Sequence, residues 1–157
     1  MPRLVALVLA AGASRRLGYP KQGVVYEGET LLARATRLAS EVADEVIVVT
    51  RENNPEAEEG MASSIRAGVA LAGSNARILI TLCDQPRVTA SHLRALIAVD
   101  APIVASGYAG IAGVPAVFAP ELIPELLALR GDVGAKAIIE RHGAVVVPFE
   151  DAAFDVD

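Results

Sequence analysis

Three cationic side chains follow an apolar run near the start of the chain. Arg15, Arg16 and Lys21 lie within seven residues of one another, after the apolar residues 4–9 and the small residues around Gly12. The apolar run predicts a buried strand, and the small residues predict a tight turn at its end. Small residues let backbone N–H groups approach a ligand, and the cations add positive charge. The stretch is therefore suited to bind phosphate; the alternative is an ordinary turn with solvated cations.

The spacing differs from that of the two common phosphate loops. Gly12, Gly18 and Lys21 fit neither a Walker loop nor the Gly-x-Gly-x-x-Gly dinucleotide motif. Residues 9–22, LAAGASRRLGYPKQ, instead resemble the signature of the nucleotidyltransferase family that includes the molybdenum cofactor cytidylyl- and guanylyltransferases. That signature reads L-A-A/G-G-x-S-x-R-M-G-x-P-K after the first strand, and Leu17 replaces the usual Met with a similar volume.

The resemblance implies a role for the matching positions of this loop. It implies that Arg16 and Lys21 stabilise the charge that develops on a triphosphate during transfer of its α-phosphoryl group. It also implies a set of nucleotide-binding positions, which comprises Leu9, Ala10, Ala11, Gly12, Ser14, Arg15 and Gly18. The loop resembles the cytidylyl branch more than the guanylyl branch, which favours CTP over GTP.

A second segment, residues 60–68, combines small residues with two adjacent hydroxyl groups. Ser63 or Ser64 could cap a helix through Ile65 and Val69 and leave N–H groups and hydroxyls at its start. The segment reads GMASSIRAG and resembles the family's G-M-x-S-S-L-R-A-G. The resemblance implies that Ser63 and Ser64 contact the nucleotide, whereas the residues alone suit an ordinary capped helix equally well.

One carboxylate stands at the end of a predicted buried strand. Residues 77–82 predict the strand, and Asp84 follows it in the run LCDQP. A carboxylate there could hold a hard cation such as Mg²⁺ together with phosphate oxygens and water. An Asp shortly before Pro86 also suits a simple turn. The run resembles the family's L-x-D-x-P, which implies that Asp84 binds the metal.

Two further segments resemble parts of the same family. Residues 155–157 resemble the start of its terminal D-x-D-T-P-E-D segment, which implies that Asp157 completes the metal site. Residues 131–136 resemble its G-D-x-G-A-R segment, with Lys136 in place of Arg. That match implies that Gly131 and Asp132 bind the acceptor. By residue type alone, Asp132 would be a helix cap.

The remaining residues of catalytic type are not expected to act in catalysis, and the two histidines are expected to be structural or solvated. His92 lies in a predicted helix, and His142 lies in the last turn of another, where a cation complements the helix dipole. Cys83 is expected to be a small core residue, because no His partner is suggested nearby.

Length and composition predict a single domain over residues 1–157. A hydrophobic fraction of 53% with 4% aromatic residues is typical of strands covered by helices on both faces. The net charge of −5 gives no general attraction for nucleic acid or anionic membranes. No run approaches the ~18 apolar residues of a membrane span. The single cysteine fits a reducing compartment, and residues 1–14 hold too short an apolar run for a secretory signal, so we expect a cytoplasmic protein.

Strands and helices are predicted to alternate along the chain. Predicted strands cover residues 3–10, 46–49, 77–82, 103–106, 114–118 and 145–147. Predicted helices follow Thr30, Ser63 or Ser64, Thr89, Pro120 and the segment at Gly131. Residues 51–59 are predicted to be a loop, and the glycine-rich residues 107–113 either a mobile hairpin or a ligand loop. This alternation predicts an α/β fold of the three-layer α/β/α, Rossmann-like kind, with a mainly parallel sheet and ligands beyond the carboxyl ends of its strands.

The resemblance also implies a deletion. Family members carry a further helix and strand after the second strand, where this chain has about ten loop residues. Residues 46–49 would then form an edge strand. An apolar edge predicts either pairing with a second chain in a homodimer or covering by the loop over residues 51–59.

Together these patterns predict a Mg²⁺-dependent nucleotidyltransferase. It would move CMP, or less favourably GMP, from the NTP to a phosphorylated small molecule and release pyrophosphate. The resemblance favours molybdopterin as the acceptor. The alternatives are a transferase acting on a sugar or polyol phosphate and a nucleotide-binding module without activity.

Overall fold

The computed structural model describes residues 2–10 and 25–153. Its strands are β1 (Arg3–Leu9), β2 (Val25–Tyr26), β3 (Glu29–Thr30), β4 (Glu45–Val49), β5 (Ala76–Leu82), β6 (Ile103–Tyr108), β7 (Ile111–Phe118) and β8 (Val145–Pro148). Its α-helices are α1 (Leu31–Val42), α2 (Met61–Ala72), α3 (Ala90–Ile97), α4 (Ile123–Leu127) and α5 (Lys136–His142). Short 3₁₀ helices cover Ala57–Glu59, Pro120–Leu122 and Glu150–Ala153.

Six of these strands form one sheet in the order β4-β1-β5-β7-β6-β8. β1 runs parallel to both β4 and β5, and β6 runs parallel to β8. Only β7 is antiparallel to its neighbours in this sheet, β5 and β6. β2 and β3 form a separate small hairpin, which the sequence analysis did not predict. The prediction of a mainly parallel sheet is confirmed.

Alternate residues of the central strands face two different helical layers. Val5, Leu7 and Leu9 of β1 belong to the core shared with α2, α4 and α5. Leu4, Ala6 and Val8 belong to the core shared with α1 and α3. Because successive side chains of a strand point to opposite faces, a continuously apolar strand such as β1 is buried on both sides. The predicted three-layer α/β/α architecture is confirmed.

The predicted N-caps of α1 and α3, Thr30 and Thr89, are confirmed. The hydroxyl of Thr30 accepts a hydrogen bond from Ala33 N–H at 3.0 Å, and that of Thr89 accepts one from His92 N–H at 3.1 Å. The predicted cap of α2 is wrong: α2 begins after Gly60, and Ser63 and Ser64 lie buried inside the helix.

Asp132 is not a helix cap either. α5 begins at Lys136 with Ala135 at its N-cap, so Asp132 precedes the helix by more than one residue. The segment that starts at Pro120 is also divided, since a 3₁₀ turn precedes α4. Local apolar spacing identified both helices but placed their starts too early.

The glycine-rich residues 107–113 form a hairpin, which was one of the two predicted alternatives, and not a ligand loop. β6 and β7 extend through them and meet at a tight turn, where Ala109 and Gly110 have φ angles of 51° and 75°. Cross-strand pairing therefore outweighs the low strand propensity of glycine here.

The predicted edge strand is confirmed. β4 lies at one end of the sheet order, and between β4 and α2 the chain forms only the 3₁₀ turn Ala57–Glu59. Among the described residues, no helix combines the length and apolar character needed to cross a membrane.

Candidate functional site

The carboxyl ends of β1 and β5 lie side by side. Leu9 pairs with Leu82 in the parallel register, and Cys83 N–H donates to Leu9 O at 3.4 Å. From β1 the chain passes first to β4 on one side and later to β5 on the other, so the strand order reverses between β1 and β5. In open α/β sheets, ligands bind outside the strand ends at such a point. The start of the phosphate-loop motif and the Asp84 turn therefore meet at the expected position.

Most of the predicted phosphate loop lies outside the described residues. This holds for Ala11, Gly12, Ser14, Arg15, Arg16, Gly18 and Lys21, and also for Asp157. Leu9 and Ala10 are described and buried, and Ala10 N–H donates to Val49 O at 2.8 Å.

The turn that carries Asp84 is held from three directions. Arg34 of α1 donates from Nε to Pro86 O at 2.6 Å. The Gln85 amide donates from Nε2 to Val114 O at 3.2 Å and to Ala152 O at 3.0 Å. Asp84 itself is half-buried at this turn. Helix, sheet and C-terminal segment thus all constrain the backbone beside this carboxylate.

The donor set at this turn suits a hard divalent cation that is shared with phosphate. Within residues 2–10 and 25–153, no three His, Cys, Asp or Glu side chains come together as a metal-binding group. Mg²⁺ is usually held by one or two carboxylates together with phosphate oxygens and water, so a lone strand-end carboxylate is compatible with it.

The segments 60–66 and 131–136 form one continuous wall. Ala62 N–H, in the first turn of α2, donates to Gly131 O at 3.2 Å. Gly131 N–H donates in turn to Glu59 Oε2 at 2.8 Å. Residues 60–66 and 131–136, which lie far apart in the sequence, are therefore fastened to each other beside the carboxyl end of the sheet.

Gly60 is required by this close approach. A Cβ atom at Gly60 would lie 2.2 Å from Asp132 Oδ1 and 2.8 Å from Gly131 O. The φ angle of Gly60 is also +125°, a conformation that residues with a side chain rarely adopt. Asp132 thus covers the start of α2 and remains exposed itself.

The hydroxyls of Ser63 and Ser64 are already engaged. Ser63 Oγ donates to Gly60 O at 2.8 Å, and Asn54 Nδ2 donates to Ser63 Oγ at 3.0 Å and to Ser64 Oγ at 3.2 Å. Asn54 is 2% exposed. These contacts bind the loop after β4 to α2, and nucleotide contact by the two serines stays a prediction.

Two ionised side chains stabilise the same wall. Arg66 donates to both carboxylate oxygens of Glu59 and to Leu129 O at 2.8 Å. The hydrogen bond from Arg66, followed by that from Gly131 N–H, lowers the pKa of the Glu59 carboxyl to about 2. Arg66 lies inside a matched motif, whereas the polar loop around Glu59 offered no signal of this contact.

A cleft of about 180 Å³ opens beside these motifs. Its lining is mainly apolar and, among the described residues, includes one cation; it comprises Leu9, Met61, Ile65, Ile80, Leu82, Tyr108, Ile111, Gly113, Val114, Gly134, Ala135 and Lys136. Tyr108 Oη donates to Val114 O at 3.1 Å, which fixes the ring on one wall. A mainly apolar cleft with a few polar groups is typical of a small-molecule site.

His92 is a structural residue, as predicted. It is 5% exposed, its ring stacks on Phe149 at a centroid distance of 4.2 Å, and its Nε2 lies 2.7 Å from Ser106 Oγ. Ser106 donates its own proton to Pro115 O at 2.6 Å, so His92 Nε2 must carry the hydrogen that Ser106 accepts. Burial lowers the pKa of His92 and keeps the ring neutral.

The other two residues of catalytic type are also accounted for. His142 Nε2 lies 2.6 Å from Glu125 Oε2, on the side of the sheet near α4. Cys83 is 6% exposed and packs in the core with α1 and α3, as predicted.

Two curated proteins are similar in sequence over most of this chain. The purine catabolism protein PucB of Bacillus subtilis (strain 168) is 31% identical over 168 residues, which cover 88% of this chain and 82% of PucB. The nicotine blue oxidoreductase of Paenarthrobacter nicotinovorans is 30% identical over 170 residues, which cover 90% of this chain and 83% of that protein.

A solved structure is similar over almost the whole chain. The crystal structure of Rv0371c from Mycobacterium tuberculosis H37Rv has a TM-score of 0.82 and 29% identity, and covers 95% of this chain and 89% of that one. The same protein has also been solved in a complex with manganese, with a TM-score of 0.78 and 26% identity, covering 94% of this chain and 89% of that one.

The family model matches the part of the chain that builds the site. It covers residues 6–145, which run from β1 to the first residue of β8 and include every described motif. The architecture is of the nucleotide-diphospho-sugar transferase kind, and the candidate site lies at the carboxyl ends of β1 and β5. On the strength of this match, the chain belongs to the family of the MobA-like NTP transferase domain.

Proposed function

We propose that this protein transfers CMP, or less favourably GMP, from the nucleoside triphosphate to a phosphorylated small molecule and releases pyrophosphate. Molybdopterin is the favoured acceptor. The observation that carries this proposal is the juxtaposition of the carboxyl end of β1 with the Asp84 turn, in a chain of the MobA-like NTP transferase family. A nucleotide bound by the loop that leaves β1 would have its phosphates beside Asp84.

The reaction needs no covalent enzyme intermediate. An oxygen of the acceptor phosphate attacks the α-phosphorus in line and forms a new P–O bond, while the bond between the α-phosphorus and the bridging oxygen breaks. The electron pair leaves with pyrophosphate. Lys21, Arg16 and the backbone around Gly12 would stabilise the charge that develops on the leaving group.

The proposal includes a divalent cation, with Mg²⁺ as the physiological ion. Asp84 would hold it, together with Asp157 and the phosphate oxygens. When bound, the cation neutralises triphosphate charge. The manganese complex of Rv0371c supports a divalent ion in this family.

The wall formed by residues 60–66 and 131–136 would separate the two substrates. Gly131 and Asp132 would contact the acceptor, and Ser63 and Ser64 the nucleotide. A mainly apolar cleft lies beside this wall and could receive part of the acceptor. The preference for molybdopterin over a sugar or polyol phosphate rests on the family resemblance, and acceptor screening separates them.

A redox activity is the second candidate. It is motivated by the 30% identity to the nicotine blue oxidoreductase. The described residues hold no Gly-x-Gly-x-x-Gly motif after a strand, which is the common signal for a nicotinamide cofactor. A nucleotide-binding module without activity remains the non-enzymatic alternative.

A substrate screen separates these candidates. Pyrophosphate release is measured with CTP, GTP or ATP and Mg²⁺, in the presence of molybdopterin, a sugar phosphate or a polyol phosphate. Oxidation of NADH and NADPH is followed in parallel with a quinoid dye as acceptor. We expect release with molybdopterin as acceptor, faster with CTP than with GTP, and its loss in Asp84→Asn. Nucleotide binding without release with any acceptor would contradict the proposed function.

A further inference from the structure

Gln85 occupies a position that turn formation alone does not explain. It follows Asp84 directly, is 7% exposed, and points its amide into the protein rather than to solvent. Its Nε2 donates to Val114 O at 3.2 Å and to Ala152 O at 3.0 Å. One NH₂ group thus connects the Asp84 turn to two segments that are 29 and 67 residues away in the sequence.

The two acceptor carbonyls belong to parts of the candidate site. Val114 lines the apolar cleft, and its carbonyl also accepts the hydrogen bond from Tyr108. Ala152 lies in the 3₁₀ turn Glu150–Ala153, shortly before Asp157 in the sequence. The Gln85 amide therefore ties the Asp84 turn to the cleft wall and to the C-terminal segment at once.

The arrangement has a cost that a purely structural residue would avoid. Among the described residues, Gln85 Oε1 is a buried acceptor with no hydrogen-bond partner. An unsatisfied buried acceptor typically costs about 1–3 kcal/mol. Such groups concentrate where a geometry is needed for function.

We infer that Gln85 is a positioning residue, which sets the direction of the Asp84 carboxylate and so determines how tightly a nucleotide-bound divalent cation is held. This inference rests on the proposed function. A side chain needs at least two N–H groups to donate to both Val114 O and Ala152 O. Because the amide is planar, these two hydrogen bonds also fix the orientation of the backbone at the Asp84 turn. Residues that orient a metal ligand typically change metal affinity by about 10–100-fold when they are replaced.

Two substitutions of Gln85 test this role. Gln85→Glu keeps the shape but places an acceptor against two carbonyls, and Gln85→Leu removes both donors with little change in volume. Arg77→Met is the matched control, because Arg77 also donates to two backbone carbonyls, Ile97 O at 2.8 Å and Val99 O at 2.9 Å. Arg77 lies at the opposite end of the same strand, β5.

The readout is Mn²⁺ binding, which electron paramagnetic resonance follows through the signal of the free ion. Mn²⁺ is titrated into protein saturated with CTP, and CTP binding in EDTA is measured separately. We expect the Mn²⁺ dissociation constant to rise at least ~10-fold in both Gln85 variants, with CTP affinity in EDTA within about 2-fold of wild type. Arg77→Met should lose thermal stability but keep the wild-type Mn²⁺ affinity.

Three outcomes would count against the inference in different ways. If the Gln85 variants melt earlier but bind Mn²⁺ as wild type does, Gln85 has only a structural role. If Arg77→Met weakens Mn²⁺ binding equally, general destabilisation explains the effect. If wild-type protein binds no Mn²⁺ with CTP, GTP or ATP, the proposed function itself is wrong and the inference is wrong with it. If Gln85→Glu or Gln85→Leu does not fold, Gln85→Asn is tested in its place, because its shorter side chain moves the amide donors away from the two carbonyls.

Discussion

Glu59 and Arg66 form a two-point ion pair across the first turns of α2, with Arg66 Nη2 at 2.5 Å from Glu59 Oε1 and Arg66 Nη1 at 2.9 Å from Glu59 Oε2. The same carboxylate accepts the Gly131 N–H, so the pair also fixes the segment that carries Asp132. A planar guanidinium suits this geometry because its N–H groups match both carboxylate oxygens.

The ion pair predicts a loss of stability in acid. The folded pKa of Glu59 is about 2, whereas an unfolded Glu titrates at roughly 4.3. The unfolded state therefore binds more protons between these values, and the contribution of Glu59 is present above roughly pH 4.3 and is lost as the pH falls towards 2. We expect the stability difference between wild type and Glu59→Gln, measured by urea denaturation, to be largest above pH 5 and to shrink in acid. Glu52→Gln, in the same exposed loop, should show no such trend.

Disruption of the same pair should affect the acceptor more than the nucleotide. Arg66→Lys keeps the charge but loses the two-point contact, so the wall at Gly131 should loosen. We expect the KM for the acceptor to rise. The affinity for CTP should stay within about 2-fold of the wild-type value, as is usual for a substitution away from the bound ligand. Isothermal titration of CTP and steady-state kinetics with varied acceptor measure the two effects. Equal weakening of both substrates would contradict the separation of their sites.

His92 predicts a second pH dependence in a different range. Burial lowers its folded pKa below the usual value of roughly 6.5. As the pH falls, the unfolded state therefore takes up a proton at a higher pH than the folded state does. The contribution of His92 to the free energy of unfolding is fully present above pH ~6.5 and is lost as the pH drops through the folded pKa. Replacement by His92→Gln should remove this slope below about pH 6.5. His142→Gln, which replaces the other of the two histidines of the chain, is measured in parallel so that the part of the slope lost with each histidine is known. An unchanged slope in His92→Gln would show that another group titrates there.

Lys21 provides a test that does not depend on the described residues. If its cation neutralises the triphosphate, Lys21→Ala should weaken CTP binding and abolish turnover. The melting temperature should hardly change, because a single cation in a predicted surface loop is expected to contribute little to folding. Fluorescence titration and differential scanning calorimetry measure the two quantities. Wild-type CTP affinity in this variant would remove Lys21 from the proposed site.

The β4 edge predicts self-association. In the parallel pairing with β1, alternate residues of β4 direct their backbone groups outwards, and Val46 and Val48 are the outward-facing ones. Asn53 Nδ2 covers Val48 O at 2.8 Å, which protects only one of these groups. We therefore expect a dimer through β4, and Val46→Pro, which removes an outward N–H, should yield a monomer in sedimentation equilibrium. A wild-type monomer with rapidly exchanging Val46 and Val48 amides would contradict this prediction.

The sequence by itself determined the layers of the fold and the position of the motifs along it. β1 is apolar from Leu4 onwards, β5 is apolar apart from Arg77 and Thr81, and Thr30 and Thr89 stand directly before helices. These signals are local, since strand burial follows from consecutive side chains and a cap needs only the next three residues. The family resemblance then identified Asp84 and the two segments that form the wall.

Only the tertiary structure decided how these motifs are held. The α2 start depends on Gly60 meeting Asp132, not on the serines inside the helix. The Gln85 amide finds its acceptors 29 and 67 residues away, and Glu59 finds Gly131 at a separation of 72. Such contacts form only after β5, β7 and the C-terminal segment have packed, because no local preference of the chain specifies which distant carbonyl or amide will lie within hydrogen-bond reach.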